Sequence, residues 1–286
     1  MTDGGRVALV TDSTCYLPTE LAAELGVQVV PLQVVIDGSS YDEADPATAE
    51  RFADALRRRR PVTTSRPGPA AFASAYRNAA ERGATAVVSV HLSSQMSGTV
   101  ESARLAAKES DLPVEVVDSA SLGMGLGYAV VSAAQAAAGG ADATEVADAA
   151  VRRAQASSAI FYLDTLEHLR RGGRIGPAAA LVGSALAMKP LLHLVDGHIE
   201  PLEKVRTSTR AIARLEDIAV ERAARSGGDA VDVAVHHLSS PKRAESLAGR
   251  LRERIPGLED VYVGEVGAVV GAHVGPGMLA VVVAPR

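Results

Sequence analysis

The chain lacks tryptophan and has a single cysteine, Cys15, among its 286 residues. Its aromatic residues are limited to six tyrosines and three phenylalanines, too few for a surface on which nucleic-acid bases stack. One cysteine excludes internal disulfides and cysteine-based zinc sites, and it agrees with a reducing compartment.

Long apolar runs and an excess of positive charge are also missing. No stretch approaches the roughly 18 uninterrupted apolar residues of a membrane span, and a strand-like Val-Ala-Leu-Val begins at Val7, which leaves no room for a signal peptide. The net charge of −5 disfavours a general nucleic-acid binder. We therefore expect a cytoplasmic protein with no nucleic-acid partner and at most transient membrane contact.

The order of apolar patterns predicts an α/β protein with two domains. Apolar runs alternate with helical patterns up to about residue 158, which is typical of a mainly parallel sheet. Further on, Asp196-Gly197 stands between two strand-like runs and predicts an antiparallel hairpin. We expect an N-terminal mainly parallel α/β domain over residues 1–158 and a C-terminal α+β domain over residues 159–286.

Common enzyme signatures are not found. The segment Gly123-Met-Gly-Leu-Gly-Tyr128 fails the dinucleotide fingerprint because tyrosine stands at its last glycine position, and no lysine has Walker A spacing. The neighbouring His236 and His237 would point to opposite faces of a strand, so no metal site is expected there.

Four polar segments and one histidine remain as candidates for a site. We expect each segment to be a loop at the end of a strand, where α/β folds bind ligands. The segments are Val10-Thr-Asp-Ser-Thr14, Pro61-Val-Thr-Thr-Ser-Arg-Pro67, His91-Leu-Ser-Ser-Gln-Met-Ser-Gly-Thr99 and Arg170-Arg-Gly-Gly-Arg-Ile175. Taken singly, each is also typical of caps, turns or a solvated helix end. Together with His273, they offer hydrogen-bond donors suited to a carboxylate or phosphate.

Five motifs in the same order resemble the DegV family of bacterial fatty-acid-binding proteins. The motifs are Val10-Thr-Asp-Ser-Thr14, Thr64-Ser-x-Pro67, Ser93-Ser-x-x-Ser-Gly-Thr99, Leu166-x-x-Leu-x-x-Gly-Gly-Arg-Ile175 and Val270-Gly-Ala-His-Val-Gly-Pro-Gly277. The resemblance spans nearly the whole chain. One departure is Arg66, because the family often has glutamine at this position.

The resemblance implies a single long-chain fatty acid in a buried tunnel between the two domains. It implies that Thr64 and Ser97 bind the carboxylate and that Arg174 and His273 support it. Ser93, Ser94 and Gly98 are included as neighbours in the same loop. The family further implies a carrier without catalytic residues, metal or cofactor, which delivers its ligand to a separate ATP-dependent fatty-acid kinase for phospholipid synthesis.

Other interpretations of the same residues stay open. A hydrolase or phosphotransferase could use Ser97 or Ser94 with His273 as base, although no third group that orients the histidine is identified. A regulatory sensor is a third possibility. The small residues of Pro177–Leu186, on a predicted helix, would leave space for a tunnel or simply pack closely against a neighbour. The run Arg57–Arg60 is a docking surface or a solvated helix end.

Overall fold

The structure is a computed structural model that describes residues 6–181, 188–226, 230–258 and 260–286. The chain divides into two compact units, of which the first ends at Gln155 and the second begins at Ala156. The strand Ser158–Tyr162 belongs to the second unit, so a boundary between residues 158 and 159 would cut into this strand.

The first unit contains a parallel sheet and a small antiparallel sheet. Its strands are β1 (Val7–Asp12), β2 (Gln28–Val30), β3 (Gln33–Ile36), β4 (Ser39–Asp42), β5 (Val62–Ser65), β6 (Ala86–His91) and β7 (Val114–Asp118). Its helices are α1 (Thr19–Glu24), α2 (Pro46–Arg57), α3 (Pro69–Glu81), α4 (Thr99–Ala107), α5 (Met124–Ala138) and α6 (Ala143–Ala156), the last of which ends one residue into the second unit.

The parallel sheet has the order β2-β1-β6-β7, as the alternation of apolar and helical patterns predicts. Its two central strands are the most apolar, and Val10, Val87, Val88 and Val90 are fully buried. Because the strands are parallel, their carboxyl ends lie at one edge, where Asp12, His91 and Asp118 end β1, β6 and β7. This edge carries the loop that follows β6.

The antiparallel sheet corrects two sequence-based expectations. The apolar pattern over Gln28–Asp37 predicts one strand, but Pro31 and Leu32 separate β2 from β3, and the two strands pair in different sheets. The segment Pro61–Pro67 was expected to be a loop, yet Val62–Ser65 forms β5, paired with β3 at the edge of the sheet order β4-β3-β5. Residues of β5 alternate between half-buried and exposed positions, so one face of the strand is open to solvent and accepts hydroxyl side chains.

The second unit is built on a mainly antiparallel sheet with the order β10-β9-β8-β13-β11-β12. Its strands are β8 (Ser158–Tyr162), β9 (Lys189–Val195), β10 (His198–Val205), β11 (Val231–His237), β12 (Val261–Glu265) and β13 (Leu279–Pro285). Its helices are α7 (Glu167–Arg171), α8 (Ser208–Ala224), α9 (Pro241–Arg254) and α10 (Ala268–Val274). The predicted hairpin is confirmed, since Asp196 and Gly197 both have positive φ between paired β9 and β10.

A buried cluster joins this sheet to α8 and α9 through residues such as Leu215 and Leu247. The predicted fold class, a mainly parallel α/β unit followed by an α+β unit, is confirmed. The predicted helix over Pro177–Leu186 is not confirmed. Gly176–Leu181 form a 3-10 turn, and residues 182–187 lie outside the described residues. Within the described ranges, no helix combines the length and apolarity needed to cross a bilayer.

Candidate functional site

The loop between β6 and α4 carries four of the predicted site residues: Ser93, Ser94, Ser97 and Gly98. Backbone hydrogen bonds coil it tightly, because the amides of Met96 and Ser97 both donate to the Ser93 carbonyl. The Ser93 hydroxyl is buried and accepts from the Gln95 amide at 3.1 Å. Ser93 therefore helps to fix the shape of the loop.

Ser97 lies at the end of this loop, directly before α4. Its hydroxyl is 2.8 Å from that of Thr99, the first residue of the helix. The next residue, Gly98, caps the helix without a side chain, and the amides of the first helical turn have no partner within the helix. A hydroxyl pair beside helix-start amides suits an anionic oxygen.

Thr64 lies on β5, opposite Val34 of β3, with a half-buried side chain. Arg66 directly follows the strand, and its guanidinium packs on the backbone of Gly98: a methyl group at Gly98 would lie only 1.7 Å from Nη1. The end of the strand that bears Thr64 is thus held next to the loop that bears Ser97. The structure brings these residues of the first unit into one neighbourhood.

A buried polar network, not predicted from the sequence, supports this loop. Both oxygens of Asp12 are used: Oδ1 accepts from the amide and hydroxyl of Thr14, and Oδ2 accepts from the Leu92 amide at 2.9 Å. His91 Nδ1 lies 3.1 Å from Oδ2 of Asp12, and His91 Nε2 lies 2.7 Å from Ser89 Oγ. The signal for it was an aspartate at the end of one predicted strand and a histidine at the end of another.

The chain Ser89–His91–Asp12 has the connectivity of a nucleophile, a base and an orienting carboxylate. All three residues are completely buried, and the Ser89 hydroxyl also accepts from the Tyr76 hydroxyl at 3.0 Å. A substrate carbonyl would have to contact Ser89 Oγ, and burial prevents this contact. The arrangement therefore stabilises the base of the loop and does not supply a nucleophile.

The second unit brings together the other two predicted residues, Arg174 and His273. Arg174 follows α7, and its Nη1 donates to the Gly172 carbonyl at 2.6 Å. His273 lies on α10, where burial, followed by the nearby Arg174 charge, lowers its pKa from 6.5 to about 4. His273 is therefore neutral at pH 7, next to a guanidinium.

A reciprocal packing of histidines on glycines joins α7 and α10. A methyl group at Gly172, which follows α7, would lie 2.1 Å from Nδ1 of His273 on α10. Conversely, a methyl group at Gly275, which follows α10, would lie 2.3 Å from Cδ2 of His168 on α7. Burial also lowers the pKa of His168. His168 was not predicted, although it stands inside the motif quoted for the family resemblance.

The arginine run Arg57–Arg60 at the end of α2 is partly paired with acidic side chains of the first unit. Arg57 and Arg58 both contact Asp54, at 3.5 and 3.0 Å, and Arg60 contacts Asp37 at 2.8 Å. Two carboxylates contact this run of four arginines, so the run keeps a net positive charge, and its interpretation as a docking surface or a solvated helix end stays a prediction. Elsewhere, the described residues contain no group of three or more histidine, cysteine and acidic side chains that could hold a metal ion.

Comparisons with known proteins match nearly the whole chain to one family. A protein from Streptomyces coelicolor, described as DegV domain-containing, is 55% identical over 281 residues, which cover 98% of this chain and 99% of the relative. A DegV family protein from Thermus thermophilus, described as binding fatty acid, has a TM-score of 0.90 at 35% identity over 98% of this chain and all of that structure.

A second solved structure agrees with the first. DegV from Bacillus subtilis, described as a fatty acid binding protein, has a TM-score of 0.89 at 31% identity, with 99% of this chain and all of that structure covered. A family model whose description reads "uncharacterised protein, DegV family" matches residues 6–286. The chain therefore belongs to the DegV family.

Proposed function

We propose that this chain binds one long-chain fatty acid in a buried tunnel and presents its carboxylate to a separate ATP-dependent fatty-acid kinase. The full-length likeness to two proteins described as fatty-acid-binding, at 35% and 31% identity, is the observation that carries the proposal. The clusters around Ser97 and His273 supply hydrogen-bond donors of the kind that a carboxylate needs.

Within the proposed site, the residues have different roles. Thr64 and Ser97 bind the carboxylate through their hydroxyls, together with the backbone at Gly98. Ser93 and Ser94 hold the loop in place, since the Ser93 hydroxyl accepts from Gln95 and the Ser94 amide donates to Asp118. In the second unit, Arg174 supplies a positive charge and His273 a neutral imidazole, both of which suit a carboxylate.

The energetics suit a carrier that holds its ligand tightly. A sixteen-carbon chain has about fourteen methylenes, whose burial contributes on the order of 11 kcal/mol before any costs are counted. Desolvation of the carboxylate opposes binding unless the oxygens are well hydrogen-bonded. The acyl chain therefore provides most of the affinity, while the polar residues set the position of the head group.

In the proposed reaction the kinase performs the chemistry. A carboxylate oxygen of the bound fatty acid attacks the γ-phosphorus of ATP, the bond from that phosphorus to the β,γ-bridging oxygen breaks, and acyl phosphate and ADP form. This chain keeps the carboxylate ionised and accessible, and it supplies no nucleophile of its own. The acyl phosphate then enters phospholipid synthesis.

The first test is extraction of freshly purified protein with organic solvent, followed by mass spectrometry. We expect one equivalent of a long-chain fatty acid. The variant Ser97→Ala should retain less ligand, whereas Ser74→Ala, which changes an exposed serine on α3, should retain as much as the parent chain. An empty extract together with no binding of added palmitate would refute the proposal.

The second test addresses the kinase. Palmitate-loaded protein, ATP and a purified ATP-dependent fatty-acid kinase should yield acyl phosphate, which hydroxylamine traps as the hydroxamate. Neither protein alone should produce it. Ser97→Ala should lower the yield with the fold intact, and an undiminished yield would remove Ser97 from the site while leaving the carrier function standing.

A further inference from the structure

Arg66 occupies a place that only a glycine at position 98 leaves open. Its Nη1 and Cζ atoms would lie 1.7 and 2.8 Å from a methyl group at Gly98. Gly98 has φ of −75°, a conformation open to any residue, so its backbone does not require glycine. The absence of a side chain there makes room for the guanidinium.

The charge of Arg66 is not neutralised by an acidic side chain of the described residues. Two other arginines of the same unit are paired, Arg58 with Asp54 and Arg60 with Asp37. Arg66 is also exposed, so its donors face solvent or a ligand. This exposed guanidinium, without an acidic partner among the described residues, lies against Gly98, between Ser97 and the start of α4.

We propose that Arg66 binds the ionised carboxylate of the fatty acid and makes this chain select a charged head group over a neutral one of equal chain length. The inference rests on the proposed function and adds a specificity-determining residue to its site. A guanidinium presents paired N–H donors that match the two oxygens of a carboxylate. An alcohol head group offers no such pair, so the benefit of Arg66 is confined to the acid.

The test compares two ligands that differ only in their head group. The full chain, freed of lipid, is titrated with myristate and with 1-tetradecanol in competition with radiolabelled palmitate. Arg66→Gln should weaken myristate binding about tenfold, the effect of losing one charge-assisted pair, and leave 1-tetradecanol binding unchanged. Added salt should weaken myristate binding to the parent chain and have less effect on the variant.

A second variant separates the position of the guanidinium from its charge. Gly98→Ala retains Arg66 but displaces its head group, and its φ is compatible with alanine. We expect it to lower the preference for myristate as Arg66→Gln does, and the double variant should lose little more than either single variant. The matched control is Arg77→Gln, which removes an exposed arginine from α3 and should leave both affinities unchanged.

The outcomes distinguish this inference from the function on which it rests. If the parent chain binds myristate and Arg66→Gln binds it equally well, or loses acid and alcohol binding in equal proportion, the role of Arg66 is refuted and the carrier function stands. If the parent chain binds neither ligand, both proposals fail.

Discussion

His91 Nδ1 lies 3.1 Å from Oδ2 of Asp12, and neither side chain has any exposed surface. Since a carboxylate only accepts, the imidazole carries a proton on Nδ1 and donates it to Asp12. The same Asp12 oxygen accepts from the Leu92 amide, at the first residue of the loop that bears Ser97. The aspartate thus joins the ends of β1 and β6 beneath the candidate site.

Replacing Asp12 with asparagine should destabilise the first unit. Asparagine keeps one acceptor oxygen, but its NH₂ group replaces the oxygen that accepts from the Leu92 amide and His91 Nδ1. Donors would then face donors. We expect a loss of about 2–4 kcal/mol in the free energy of unfolding, measured by urea denaturation. Asp45→Asn is the control, because Asp45 caps α2 at the surface and asparagine caps equally well. A loss at Asp12 no larger than at Asp45 would contradict the role assigned to the network.

Acidification should lower stability through His273 and His236. Burial is the first cause in both cases, and each has a pKa lowered from 6.5 to about 4. Between these values the unfolded chain takes up protons that the folded chain does not, so the free energy of unfolding falls as pH drops from 6.5 to 4. Each histidine contributes up to about 3 kcal/mol to this fall in the free energy of unfolding. Above pH 6.5 its contribution no longer changes with pH.

The measurement is a series of urea denaturation curves across this pH window. His273→Gln should reduce the fall in stability and retain the share due to His236. His198→Gln, at an exposed position on β10, should keep the full fall. An unchanged pH profile in His273→Gln would show that the imidazole is as easily protonated in the folded chain as in the unfolded one.

Fatty acid should raise the pKa of His273. In the free chain, Arg174 adds to the effect of burial and disfavours the imidazolium. A carboxylate bound at this cluster would offset the Arg174 charge and so favour the proton. Histidine ring signals are followed by NMR with and without one equivalent of palmitate, and the His273 titration should move to higher pH when palmitate is bound. Identical titrations would exclude His273 from the head-group site.

Two glycine-to-alanine variants should change stability in opposite directions. Gly249 lies inside α9 with open space around it, so alanine should stabilise the chain by about 0.5–1 kcal/mol. At Gly172 the added methyl group would overlap the His273 ring, and we expect a loss of about 1–3 kcal/mol. Thermal unfolding measures both. A stabilising Gly172→Ala would mean that His273 can move aside at no cost.

Much of the fold follows from patterns within the sequence, and the exceptions have physical reasons. The residue pair Asp196-Gly197 predicts the hairpin correctly, because aspartate and glycine both adopt the positive φ that the turn type requires. The run Gln28–Asp37 misleads because its apolar residues continue across Pro31, which is where the chain changes sheet. Helices as short as α7 and α10 span too few turns to show a periodic pattern.

The candidate site shows the same division. Serine and threonine residues beside a glycine before a helix can be recognised as donors from the sequence alone, as for Ser97. The position of Arg66 cannot, because its contact with Gly98 links the end of an edge strand to a distant helix start. His168 was missed for a similar reason: its packing partner, Gly275, is more than a hundred residues away in the chain.

The reciprocal packing of α7 and α10 makes the residues at four positions depend on one another in evolution: 168, 172, 273 and 275. A bulkier residue cannot be accepted at 172 unless the side chain at 273 shrinks, and Gly275, at φ of 74°, is further restricted by its own backbone. We therefore expect substitutions at these positions to occur in pairs. A change at 172 should accompany one at 273, and a change at 168 should accompany one at 275. A relative that has lost either histidine should also be the one that has relaxed the glycine facing it.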